Sequence, residues 1–91
     1  MLLGGRHQIT KPFTPRTWEA LGLLAQGRDN QAIGRAMSIS IKRAENYARE
    51  IYQILDLSPQ QDKRVGACLW YLSHADEPDK WASRPKVYRG R

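Results

Sequence analysis

Apolar residues recur at helical spacing through most of the chain and stop recurring near both ends. Trp18, Leu21, Leu24 and Ala25, with Ala20 beside them, predict a first helix. Thr14 is a good N-cap for it, and Pro15 suits the first helical position, where its missing N–H would be unpaired anyway. Gly27 ends it as a left-handed cap. Asp29 or Asn30 then caps a short second helix, about Gln31 to Met37, with Ala32, Ile33, Ala36 and Met37 on one face. Gly34 leaves room for a neighbouring helix. Ser38-Ile39-Ser40 is the next turn, with Ile39 pointing inward and Ser40 capping a third helix, about Ile41 to Leu55. Its inward stripe is Ala44, Tyr47, Ala48, Ile51, Ile54 and Leu55. Asp56 ends it. Ser58-Pro59-Gln60-Gln61 has the form of a capping box and opens a fourth helix running to about Ser73. Val65, Cys68, Leu69 and Leu72 make one stripe there, widened by Trp70 and Tyr71.

Outside these stretches the pattern fails. Gly4, Gly5 and Pro12 argue against a regular element at the start. From Ala75 a polar run, Trp81 and a Pro-split basic run replace the periodicity. The expected organisation is a flexible arm over residues 1–12, an all-α four-helix domain over 13–75 and a basic tail over 76–91. Trp81 and Tyr88 could anchor the tail on the domain; the expectation is that it stays unbound.

The second and third helices, joined by a three-residue turn, have the form of a helix-turn-helix. The sides that the third helix does not bury carry Lys42, Arg43, Glu45, Asn46, Arg49 and Gln53. Such a face can serve only solubility. Set outward on a rigid rod by the preceding helix and turn, it also has the groups needed to read base edges in a DNA groove.

Charge changes this picture little. The 91 residues hold 15 Lys and Arg against 9 Asp and Glu, and most of the excess lies in the terminal segments. The middle is nearly balanced, so a polyanionic partner is plausible without being demanded. Arg6 and Lys11 could touch phosphate from the arm. The single cysteine, Cys68, excludes an internal disulfide and any cysteine metal cluster; it reads as a small core or interface residue. No apolar run reaches the roughly 18 residues of a membrane span, and the start lacks the pattern of a signal peptide. His7 and His74 have no evident metal-ligand partners, and Asp76, Glu77 and Asp79 read as a polar hinge. With no phosphate loop, nucleophile motif or paired buried carboxylates, an enzyme is not expected, nor a cofactor, metal or small-molecule ligand.

Thr14-Pro15-Arg16, Leu21, Leu24-Ala25, Gly27, Asn30, Ile33, Ile39-Ser40, Ile51 and Leu55 fall in the order and spacing of a known family. From about Phe13 to Leu72 the chain resembles the LuxR/NarL-type (GerE-like) helix-turn-helix domain, here as a stand-alone member. The resemblance implies a four-helix DNA-binding domain with its third helix in the major groove and dimerisation often through the fourth. The chain departs from the pattern in places. Arg43-Ala44-Glu45, Asn46 and Tyr47 stand where the family commonly has Thr-Val-Lys, a variable residue and His. Ile54 replaces a common Lys, and Thr17 and Ala32 replace two usual acidic residues. Glu45 thus sits where a Lys commonly faces DNA. A carboxylate there repels phosphate but accepts a hydrogen bond from cytosine N4.

The expected function is a sequence-specific transcription regulator that binds double-stranded DNA as a homodimer in the bacterial cytoplasm. Glu45, Asn46 and Arg49 would read bases; Asn30, Lys42, Arg43 and Gln53 would hold phosphates. Val65, Cys68, Leu69, Trp70 and Leu72 would form the dimer interface, against the alternative that they are simply core. A second reading is a protein-interaction module on the same fold, an antiactivator or adaptor for another regulator. Glu45, the near-neutral middle and the abundant aromatic residues favour it. A nonspecific architectural binder using the basic tails is a third, disfavoured by the mixed signs on the third helix.

Overall fold

The computed structural model describes residues 9–57, 60 and 62–82. Its helices are α1 (Pro15–Ala25), α2 (Asn30–Met37), α3 (Ile41–Leu55), α4 (Lys63–His74) and a short α5 (Pro78–Trp81). The caps are those that the local sequence favours. The Thr14 hydroxyl accepts from Thr17 N–H at 3.1 Å, and the Ser40 hydroxyl accepts from Arg43 N–H at 3.0 Å. Each such cap stabilises its helix by about 1 kcal/mol. Gly27 takes a positive φ of 88° just past α1.

The α2–α3 turn is tight for a definite reason. Ser38 adopts the left-handed conformation, with φ 59°, and Ile39 N–H closes back on Gly34 C=O at 2.8 Å. That loop folds the carbonyls of Ile39 and Ser40 onto Gly34, where a Cβ would lie 2.9 Å from Ile39 O. The expected close neighbour of Gly34 was a helix; the observed neighbour is the turn backbone itself. Arg16 locks the pair from outside. Its Nη2 donates to Met37 C=O at 3.0 Å, at the C-terminal end of α2.

α1 packs against both α3 and α4, and α2 lies on α3. Leu21 and Leu24 from α1, Ile33 and Met37 from α2, and Ile51, Ile54 and Leu55 from α3 meet in one core. Ala36, expected on the apolar face of α2, is exposed.

Three expectations change. First, α4 starts at Lys63, capped by Asp62, whose carboxylate accepts from Val65 N–H at 3.0 Å. That side-chain cap sets the helix start, and Ser58, Pro59 and Gln61 lie outside the described residues. Second, residues 9–13 are docked rather than free. Phe13 is fully buried, Ile9 packs on the core, and Thr10 N–H donates to Ile54 C=O at 2.9 Å. Third, residues 76–82 return to the domain through α5. Phe13 N–H donates to Trp81 C=O at 2.9 Å, and Phe13 and Ala82 form a parallel bridge. The rest of the arm and tail, with Arg6, His7 and Tyr88, lies outside the described residues.

The cause of both docked ends is an aromatic cluster. Phe13 meets Trp18 and Trp70, each at 5.6 Å between centroids; Trp81 stands edge-on to Trp70 at 5.3 Å. His74 stacks on Trp70 at 4.1 Å, and its Nδ1–H donates to Trp70 C=O at 2.7 Å. Edge-to-face pairs of this kind each contribute about 0.5–1.5 kcal/mol beyond the area they bury.

Gly34→Ala should destabilise the protein by about 1–3 kcal/mol in urea unfolding, although alanine is the better helix former, because the added methyl meets rigid backbone. Trp81→Ala should cost about 2 kcal/mol by the same measurement, since the ring is half-buried against the core. An unchanged midpoint in that variant would mean that α5 does not brace the domain.

Candidate nucleic-acid interface

The exposed side of α3 follows from its buried one. Ala44, Ala48, Ile51 and Leu55 face the core. Opposite them Lys42, Asn46, Arg49 and Gln53 recur at i, i+4, i+7 and i+11 and are all exposed. They form a straight line of two cations and two amides. Arg49 Nη1 donates to Asn46 Oδ1 at 3.3 Å, so these two expected base readers are neighbours already held together. The guanidinium carries the paired donors that suit guanine, and the amide the donor and acceptor that suit adenine.

Two flanks border the line. On the first, Arg43 lies over the Tyr47 ring at 5.9 Å, beside a shallow hollow formed with Thr14, Thr17, Asn46 and Glu50. Glu50 is paired there with Lys11 at 3.5 Å, so this arm lysine is neither a free tail residue nor open to phosphate but neutralises a carboxylate. On the second flank an open cleft of about 720 Å³ separates α3 from the starts of α2 and α4. Glu45 is half-buried and lines this cleft, off the line of Asn46 and Arg49.

Asn30 differs from expectation. It is half-buried in the same cleft, and its Oδ1 is enclosed without a hydrogen-bond partner among the described residues. Asp29 caps α2 and accepts from Ala32 N–H at 2.9 Å. The start of α2 therefore presents a carboxylate where a phosphate was expected, which works against the attraction of a helix N-terminus for anions.

The expected dimer residues divide between two sides of α4. Trp70 is only 7% exposed and belongs to the aromatic cluster, while Cys68 donates from Sγ to Leu24 C=O at 3.4 Å and faces α1. These two are removed from the proposed outer face because α4 turns Gly66, Ala67 and Trp70 inward. Val65, Leu69 and Leu72 remain, 52%, 58% and 69% exposed and aligned at i, i+4 and i+7.

Lys63 and Arg64, on the cleft wall opposite α3, were not among the expected site residues. The signal was a basic pair directly after an Asp cap, hidden by placing the helix start too early. Arg64 is positioned by Nη1 donating to Arg28 C=O at 2.9 Å, in the α1–α2 connection. Tyr52 lies on the cleft floor, and burial raises its phenol above the ordinary 10.0, partly offset by the Arg64 charge. A raised folded-state value means that the folded protein keeps this proton when the unfolded chain has lost it. The associated stability is complete below about pH 10 and is lost as pH rises further. Unfolding midpoints should therefore fall as pH rises above about 10, and fall less in Tyr52→Phe.

Residues 11–62 match the GerE family model, described as bacterial regulatory proteins of the luxR family. No solved structure matches the chain. The match begins just before Phe13 and contains α1, α2 and α3 entire; α4 and α5 lie beyond it, so it is shorter than the expected Phe13-to-Leu72 resemblance. No helix among the described residues is long and apolar enough to cross a membrane. The capped α1, the tight α2–α3 pair and a match spanning more than half of the chain agree: the protein belongs to the LuxR family of bacterial regulatory proteins and carries that family's DNA-binding helix-turn-helix domain.

Proposed function

We propose that the protein is a sequence-specific transcription regulator whose α3 enters the major groove of duplex DNA. The observation that carries this is the exposed line Lys42, Asn46, Arg49 and Gln53 on a rigid, doubly capped helix. Arg49 and Asn46 are the principal base readers. Glu45 reaches a base only from the flank, where cytosine N4 is the donor it suits. Lys42 and Arg43 hold phosphates and set the register. Two copies join through Val65, Leu69 and Leu72 and place two α3 helices on half-sites about one helical turn apart.

A second reading takes the same apolar face as a contact for another regulator, making the protein an adaptor. The exposure of three aliphatic side chains on a helix beyond the matched span favours it. It requires only weak, salt-sensitive DNA binding without a preferred sequence.

Selection of the purified protein against a random duplex library, at near-physiological salt, separates the two. The regulator reading expects an inverted repeat with half-sites about 10 base pairs apart. Arg49→Ala should then cost about 1–3 kcal/mol at the selected site and relax preference at one position of each half-site. Recovery of no motif would instead favour the adaptor.

A further inference from the structure

We infer that the cleft between α3 and the start of α4 holds a phosphodiester segment of bound DNA, with Lys63 as the cation that contacts it. This rests on the reading that α3 lies in a DNA groove. A helix seated in the roughly 12 Å major groove has a sugar-phosphate strand on each side. Each flank of α3 must therefore offer cations. The first flank does: Arg43 is exposed, and its neighbouring carboxylate, Glu50, is already neutralised by Lys11.

The second flank of α3 offers the opposite. Glu45 and Asp56 line the cleft, and no ion pair among the described residues occupies either of them. A strand lying directly against α3 here would be repelled. The cations on this side come from across the cleft, where Lys63 and Arg64 line the far wall. Arg64 is tied to Arg28 C=O and serves as a fixed part of that wall. Lys63 is exposed and in no ion pair among the described residues. A flexible ammonium of this kind is suited to an oxygen whose position shifts with DNA sequence. The Tyr52 phenol is a second donor on the cleft floor. The strand is thus held on the α4 side of the cleft by Lys63, away from Glu45 and Asp56, while the Asp62 carboxylate beside Lys63 is taken up in capping Val65 N–H.

The arrangement gives two opposite charge effects. Lys63→Gln should weaken binding, and Asp56→Asn should tighten it. Asparagine tolerates the left-handed backbone at that position, where φ is 51°, so the second variant leaves the turn intact.

The test is a fluorescence-anisotropy titration of the full chain against two duplexes of equal length, the one recovered by selection and a scrambled one, from about 50 to about 200 mM salt. Lys63→Gln should weaken both by the same factor, about three- to tenfold at low salt, and flatten the log–log salt slope by about 0.9, while Lys63→Arg restores it. Asp56→Asn should tighten both by about twofold. A Lys63→Gln slope equal to that of the wild type overturns the cleft assignment, whatever the sequence preference. Equal wild-type affinity for the two duplexes overturns the sequence-reading function, whatever Lys63→Gln does. Binding to neither duplex overturns both.

Discussion

The close approach of the α2–α3 turn to Gly34 is the constraint on which the interface depends. Only a residue without a side chain accepts the Ile39 carbonyl at that distance, 2.9 Å from where a Cβ would lie. The left-handed Ser38 makes the reversal possible, at a conformational cost of about 1 kcal/mol. Arg16 completes the joint by meeting a terminal carbonyl of α2. The direction of α3 is therefore set by backbone contacts at its start rather than by the long side chains on its surface. Those side chains can vary without moving the helix.

The electrostatics of α3 are uneven for a related reason. Its outer line is cationic and amide-bearing, but its flanks differ. One carboxylate is covered by Lys11, from a segment outside the helical bundle, and two others face an open cleft. Nearly balanced charge over the folded middle therefore does not mean a featureless surface. It means that the sign at each side of α3 is decided by which neighbouring segment comes close.

The helices α1 to α3 were legible because local rules and tertiary packing agree there. Thr14, Pro15, Gly27 and Ser40 each take the conformation their chemistry favours, and the apolar spacing matches the buried faces. The start of α4 was not legible, because Ser58-Pro59 and Asp62 offer competing caps and the sequence alone does not rank them. Its inward face was misread for a different reason. Gly66 and Ala67 are buried and Trp70 fills the aromatic cluster, so small residues lie inside while Val65, Leu69 and Leu72 lie outside. Periodicity sees the larger aliphatic residues first. The docked ends were invisible to it altogether, since Phe13 and Trp81 are single anchors in segments without a repeat. The exposure of Asn46 and Arg49 on one side of α3 follows from the apolar spacing, whereas the enclosure of Asn30 depends on the cleft formed by three separate helices.

The bridge between Phe13 and Ala82 also has a topological consequence. Phe13 and Ala82 lie side by side, so the helices between them form a closed unit with a single stem. Such a unit can be carried within a surface loop of a host protein without stretching the host's flanking strands or helices. By the same geometry, linking Ala82 to Phe13 and opening the chain between α3 and α4 would permute the order of the helices.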